Sequence, residues 1–460
     1  MERKRKSRIL ELGKNLMILA LTLSVIYLTL RNQTVVGLAG TGSSWLGAVV
    51  RVLGLGGPAK VPAGGVQDQA VEVRPLRMAV NIAGVGTYGV QYDNAATGRL
   101  SDVMFTLLGE ALGSMGEPAA VSEGEWRRAL TEQSSIYFDF QGRVPIALLY
   151  AWTQAGTGEA LAGESTRRIL LAEDGVGALT LYYSNEDTGM YYACRTGEGL
   201  NGHLQAAVAD YAVSGNDSTF AFTHGRGEEY SKLSPYVMLP KSKAASAWTV
   251  YRVTNPIGQG RNEQTRVDMI EALGFYPNAN NSYVAGGKQV VKEGGDTLVV
   301  YDTGVVEYHS AAPEEPKYPV GDGTDTPSLL DMVRATQPLA EKSVGALSGD
   351  PQTAGLYLMG ITDLGEDGWQ VDYGYHLGGI TVQLGQEGYA GRFIISGGRV
   401  SDYSLLLRNY TATEQNSTVL PELQAAAAMG ALDARGRELL LVFEDSGAAE
   451  TVRAGWIAAE

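Results

Sequence analysis

Catalysis and metal binding need particular side chains brought close together, and this chain is poor in them. It has four histidines, His203, His224, His309 and His376, none near another, and one cysteine, Cys194. The spacings that hold zinc are therefore absent, and no intrachain disulfide can form. The GxSxG, SxxK, HExxH, Walker A and CxxC patterns do not occur. One GxGxxG match, Gly84-Val85-Gly86-Thr87-Tyr88-Gly89, follows a plausible strand. A dinucleotide site needs a helix directly after such a loop to receive the pyrophosphate. The residues that follow, Val90-Gln91-Tyr92-Asp93-Asn94, read as extended or turning, so the glycines read as a turn. His376 lies close to Asp372 in one strand pattern; a catalytic pair is conceivable, and an ordinary strand histidine is the simpler reading. Cys194, beside Tyr191, Tyr192 and Ala193, reads as a packed thiol. The 51 Asp and Glu residues leave room for the paired acids that hydrolyse glycosides, although an acidic outer surface explains them equally well. The 24 tyrosines suit half-buried strands or a binding face. The sequence therefore assigns no catalytic residue, no cofactor and no metal ligand, and the chain is expected not to be an enzyme.

Charge is distributed unevenly. Residues 1–31 hold seven basic residues (Arg3, Lys4, Arg5, Lys6, Arg8, Lys14, Arg31) against Glu2 and Glu11, a net of +5. The whole chain is −15, so the remaining 429 residues carry −20. An acidic body repels phosphate backbones, which argues against nucleic-acid binding. Between Lys14 and Arg31 lie sixteen uncharged residues, NLMILALTLSVIYLTL. As a helix they span about 24 Å against roughly 30 Å of hydrocarbon, a shortfall that snorkelling by Lys14 and Arg31 can cover. The basic cluster ahead of the span predicts a cytoplasmic N-terminus and an external body. A cleaved signal peptide is the competing reading, but Arg31-Asn32-Gln33-Thr34 makes a poor cleavage site; a buried core helix is a third. On the span, Ala20 and Ser24 form one small-residue face, and Thr22 and Thr29 lie on another. These four residues are the expected contacts for a partner helix in lipid.

The elements behind this layout fall into blocks. Residues 1–14 are a basic cytoplasmic tail, 15–31 a transmembrane signal anchor and 32–75 a Gly-rich linker. A first domain is expected over 76–160. It contains a strand at Met78–Ile82, a helix at Val103–Leu112, a capping box of Ser122 and Glu125 before the helix Trp126–Thr131, and strands at Ser135–Phe140 and Ile146–Trp152. A second domain, 165–310, is mostly hairpins, with a helix near 264–273 that ends at Gly274. The Pro-rich stretch 311–327 reads as an interdomain linker. A third domain, 328–460, opens with a helix at Leu329–Thr336 and has hairpin turns at Gly378-Gly379 and Gly397-Gly398 and an Ala-rich helix at Pro421–Leu432. The fold class is α+β: extracytoplasmic domains of antiparallel sheets with a few packed helices, preceded by one transmembrane helix.

Several stretches carry a family resemblance. They are Tyr88-Gly-Val-Gln-Tyr-Asp93, Ile136-Tyr-Phe-Asp-Phe140 with Val144-Pro145, Leu273-Gly-Phe-Tyr-Pro277 with Asn281-Ser-Tyr283, and Gly304-Val-Val-Glu-Tyr308. To these add Trp369–Tyr375, Gly397-Gly-Arg-Val400, Leu420-Pro421 with Gln424-Ala425, and Ala454-Gly-Trp-Ile457. With the N-terminal layout, the chain resembles the YycH/YycI-type regulatory proteins of Gram-positive bacteria over most of 76–460. The resemblance implies a non-enzymatic protein that adjusts a sensor histidine kinase of cell-wall metabolism through membrane-spanning helices and external domains. The implied partners are that kinase, a second anchored regulator and membrane lipid. The long Gly-rich stretch 32–75 departs from the family layout and argues against rigid, piston-like coupling. An anchored cell-envelope-binding module or glycan hydrolase is the alternative.

Overall fold

A computed structural model describes residues 73–459, apart from 157–160, 162, 176–177, 212–215, 224–232, 241–246, 259–262, 312–315, 322–326, 386–387 and 432–436. The chain divides into two units, 1–65 and 66–460. The expected span at 15–31, with Ala20, Thr22, Ser24 and Thr29, lies outside the described residues. Among those described, no helix is long and apolar enough to cross a membrane.

The architecture is α+β. Nine strands make the first sheet: β1 (Arg77–Ile82), β2 (Gly86–Gln91), β3 (Ala119–Val121), β4 (Ser135–Pro145), β5 (Ser165–Glu173), β6 (Ala178–Asn185), β7 (Met190–Glu198), β8 (Asn216–Phe220) and β9 (Met238–Pro240). Their spatial order is β3-β7-β6-β5-β4-β1-β2-β8-β9, and every pair is antiparallel. Both faces are covered. Met78, Val80, Ile136, Phe138, Ile169 and Leu171 point to a core shared with α1 (Asn94–Ser114), α3 (Ile146–Thr153) and α4 (Asn201–Tyr211). The alternate residues Ala79, Tyr137 and Leu170 point to the other face, where α2 (Glu123–Thr131) lays down Trp126, Ala129 and Leu130. Burial on both faces explains why these strands read as nearly continuous apolar runs. The capping box that starts α2 is present: Ser122 Oγ accepts from Glu125 N at 3.2 Å, and Glu125 Oε2 accepts from Ser122 N at 3.1 Å.

The rest of the chain supplies β10 (Ala247–Thr254), α5 (Glu263–Ala272), β11 (Ser282–Ala285), β12 (Lys288–Glu293), β13 (Asp296–Tyr301), β14 (Val305–Ser310), α6 (Leu329–Ala340), β15 (Ala354–Asp363), β16 (Trp369–Leu377) and β17 (Ile380–Leu384). It continues through β18 (Gly391–Ser396), β19 (Arg399–Leu406), β20 (Asn409–Thr418), α7 (Glu422–Ala431), β21 (Glu438–Asp445), β22 (Thr451–Val452) and β23 (Ala454–Ala459). An eleven-stranded sheet runs β11-β12-β13-β14-β19-β18-β16-β17-β21-β23, with β15 also paired to β16. Only β17 and β21 run parallel within it. A small sheet, β20-β10-β22, completes the set. Gly397 and Gly398 turn β18 into β19 at φ 57° and 69°, the left-handed pair that a two-residue hairpin needs. Helix α6 joins the two main cores, with Met332 in that of the second sheet and Val333 in that of the first.

Three expectations are corrected. Ile146–Trp152 is helix α3, not a strand; a short, wholly apolar run carries no periodicity to separate the two. The block boundary near 160–165 falls inside one sheet, because β4 pairs with β5, and the strands of 165–310 are divided among all three sheets. The stretch 311–327 is not simply a linker: Val320 is fully buried, its N–H donates to Gly398 O at 2.9 Å, and Pro319 bridges Arg399.

The first sheet meets the second where β4 bulges between Asp139 and Val144. There a Cβ on Gly142 would stand 2.0 Å from the carbonyl oxygen of Leu358 on β15, so this approach requires glycine.

Candidate functional site

Alternation along five neighbouring strands of the second sheet, β13, β14, β19, β18 and β16, sends one set of side chains into the core and the other outward. The outward set falls in two rows of cross-strand neighbours. The first row runs Thr297, His309, Asp402, Ile394 and the second Val299, Glu307, Ser404, Arg392, Asp372. Direct neighbours in such rows lie close enough for side chains to bond. His309 Nδ1 meets Asp402 Oδ1 at 2.7 Å. Arg392 grips Asp372 through two bonds of 2.8 Å and lies 4.0 Å over the ring of Tyr389. Glu307 accepts from Tyr301 Oη at 2.8 Å. All of these row residues except Asp372 line an open cleft of about 400 Å³, with Val299 on β13 and Ile394 on β18 at its opposite ends.

A second cluster of charge is closed off. Arg77 (β1) and Asp139 (β4) are cross-strand partners, as are Asp139 and Arg168 (β5). Arg167 binds Asp139 through Nε at 2.9 Å and Nη2 at 3.2 Å, and the same Nη2 reaches Glu438 Oε2 at 2.6 Å. Arg168 holds the other oxygen of Glu438. Glu438 opens β21, so this seam ties the first sheet to the C-terminal strands. Burial alone would raise the Asp139 carboxyl, but Arg167 and Arg77 outweigh it and hold it well below the usual range. Burial is outweighed likewise at Glu438 by Arg167 and Arg168. Nearby Glu422, at the start of α7, receives Gln91 Nε2 at 2.8 Å and 3.0 Å. With little beyond that amide to set against burial, its carboxyl is pushed up to about 8.

The residues singled out from sequence take other roles. Asp372 is engaged by Arg392, while His376 sits four residues along the same strand. Among the described residues its Nδ1 has no partner, and burial lowers its imidazole to about 4. Cys194 is fully buried in the first core, and burial pushes its thiol up to about 11. The GxGxxG stretch is the β1–β2 hairpin, with Gly84 at φ 75°, and no helix begins until Asn94. Among the described residues no group of three or more His, Cys, Asp or Glu is arranged to hold a metal. Neither the cleft nor the seam was identified from sequence. The local signal for the cleft is the spacing of Glu307 with His309 and of Asp402 with Ser404, alternate polar positions in otherwise apolar strands. Nothing local says that the two pairs are neighbours.

Comparison with known proteins leaves the fold as the point of contact. No protein-family model matches the chain, and no curated protein does. Among solved structures, the crystal structure of YycH from Bacillus subtilis is similar to it, with a TM-score of 0.55 over 86% of this chain and 96% of that one at 10% identity. At that identity the likeness is one of fold: the body of this chain has a YycH-like architecture.

Proposed function

We propose that the chain is a membrane-anchored, extracytoplasmic regulatory protein that modulates a two-component sensor histidine kinase of cell-wall homeostasis by protein–protein contact, without enzymatic activity. The observation that carries this reading is the YycH-like fold, shared along nearly the whole of the comparison chain. The basic tail, the apolar run 15–31 and the acidic body support it from the sequence side. On this reading the N-terminus is cytoplasmic, the span crosses once, and the body meets the external part of the kinase, alone or with a second anchored regulator.

Affinity purification from membranes in mild detergent tests the partnership. A sensor kinase retained in stoichiometric amount is expected; its absence, together with unchanged kinase output after deletion of the gene, overturns the reading. Protease added to intact protoplasts tests the topology, and a protected body rejects it. The span has its own test. If Ala20 and Ser24 let a kinase helix approach, replacing both with leucine removes a contact of about 1 kcal/mol and changes kinase output several-fold at unchanged abundance. An all-leucine span that regulates as well as the native one reduces the helix to an anchor.

A further inference from the structure

The second sheet ends at β11, and the stretch that forms this edge is uncharged in an acidic chain. Residues 276–287, YPNANNSYVAGG, hold no Asp, Glu, Lys or Arg, whereas the chain carries a net −15. Three large apolar side chains are exposed within them: Tyr276 at 58%, Tyr283 at 54% and Val284 at 72%. Natural edge strands are usually blunted by a charge, a proline or a bulge, which stops them pairing with another chain. β11 has none of these. The hydrogen-bond phase shows which backbone groups are open. Lys292 N–H donates to Asn281 O at 2.9 Å, so alternation turns the backbone groups of Tyr283 and Ala285 towards β12 and those of Ser282 and Val284 towards the open edge. The turn before the strand takes one of these: Ser282 N–H donates to Asn278 O at 2.9 Å. Val284 is left as the residue of β11 whose N–H and C=O both face the open edge with no backbone partner among the described residues.

We propose that β11 pairs antiparallel with β11 of a second copy of this chain, across a two-fold axis at Val284. A hydrogen-bonded antiparallel pair takes one N–H and one C=O from each residue, which is what Val284 offers. Opposite itself it forms two bonds, its N–H donating to the carbonyl of the partner's Val284 and the reverse. The flanking residues fit this register. Tyr283 faces the partner's Ala285, large against small, on one side of the sheet, and the two Val284 side chains meet on the other. A register centred on Tyr283 would need Ser282 N–H, which Asn278 already holds. Charge selects the same occupant. A basic partner gains from acidic groups at the contact, and this edge has none; a copy with the same net −15 approaches at least cost where neither surface is charged. The contact uses up the edge, so it closes at two copies. One short strand from each side makes it weak, with a Kd of about 10–100 µM. The inference stands apart from the kinase reading and is tested without a kinase.

Full-length protein in detergent is run in the analytical ultracentrifuge from about 3 µM to about 300 µM, a range that brackets the expected Kd. A monomer–dimer equilibrium is expected, and it should tighten several-fold from about 0.05 M to about 0.5 M salt, because screening relieves the repulsion between like-charged copies. Val284→Pro removes the outward N–H without touching a bond to β12, and should weaken the dimer about tenfold or more. Val284→Thr keeps that N–H and should dimerise within about threefold of the parent. Circular dichroism checks that both variants are folded. A second measurement reads the register. Val284→Cys places a thiol opposite itself at a Cα separation of about 5.5 Å, within the span of a disulfide. The native Cys194 is buried and does not compete. Under mild oxidation this variant should link into dimers about tenfold faster than Glu366→Cys, which puts a thiol on an exposed turn. A parent that stays monomeric at about 300 µM overturns the proposal. So does a dimer that Val284→Pro retains, one that weakens as salt rises, or linking by Val284→Cys no faster than by Glu366→Cys.

Discussion

Two arginine–aspartate pairs in this molecule have nearly the same geometry and opposite surroundings. Arg167 grips Asp139 with Nε and Nη2 at 2.9 Å and 3.2 Å; Arg392 grips Asp372 with the same two atoms at 2.8 Å each. The side chains of the first pair are 17% and 2% exposed, those of the second 37% and 17%. Bond lengths do not distinguish the pairs, but burial does. In the seam three guanidinium groups, from Arg77, Arg167 and Arg168, depend on Asp139 and Glu438 to offset lost hydration. At the cleft, water can replace either partner. The first pair is therefore architecture, joining the sheets, whereas the second lies on an open face beside the cleft.

The sharpest way to break this comparison is Asp139→Asn. It keeps the shape and removes the charge, leaving buried arginines under-compensated. A loss of about 3–5 kcal/mol in urea unfolding is expected. A loss below about 1 kcal/mol would mean that the seam is wet and the contrast unfounded. Next comes Gly142→Ala, which forces the β4 bulge away from the Leu358 carbonyl at the same junction. Its expected cost is about 1–3 kcal/mol, with the cleft residues unaffected.

The seam also contains a contrast in pH dependence. Glu438 and Asp139 have depressed carboxyl pKa values in the folded state. Their contribution is present above the unfolded carboxylate range of about 4 and is lost as pH falls towards the folded values. Glu422 runs the other way. Its pKa is raised to about 8, so the folded state holds a proton that the unfolded chain releases. The favourable contribution at Glu422 is full below about 4 and is lost as pH rises to about 8. Glu422→Gln should therefore flatten the decline in stability between these limits and raise stability at pH 8 by about 1 kcal/mol or more. An unchanged slope would show that Glu422 is ionised and hydrated in the fold.

Which of these features could be read from sequence follows from the distance over which each is encoded. The Ser122/Glu125 cap, the left-handed stop at Gly274 and the Gly397-Gly398 hairpin are complete within a few residues, and each stands where its pattern places it. The β18–β19 and β13–β14 hairpins follow from alternation bounded by turns. What could not be read is register between distant strands. His309 and Asp402 are 93 residues apart, and Arg167 and Glu438 are 271 apart. The adjacent Arg167-Arg168 gives no hint that both turn inward, because charged residues near a strand start ordinarily face water. Domain boundaries failed for a related reason. Pro and Gly mark where the chain turns, not which sheet it rejoins. The second sheet takes β11–β14 from before the Pro-rich stretch, joined through β14 to β19. An isolated 328–460 fragment would leave that edge bare, and it should lack a cooperative unfolding transition by circular dichroism.

The smallest expected effect is the most informative about the cleft. Asp372→Asn replaces one of the two carboxylate oxygens that Arg392 binds with an amide nitrogen and removes the negative charge. If the pair were worth what its geometry suggests, stability would fall as it does at Asp139. Because the guanidinium is more than a third exposed and stacks on Tyr389, solvent and the ring can hold it, and the loss should not exceed about 1 kcal/mol. That remainder should shrink further in high salt, since screening acts on exposed pairs and hardly on buried ones. The seam variant should show no such salt dependence.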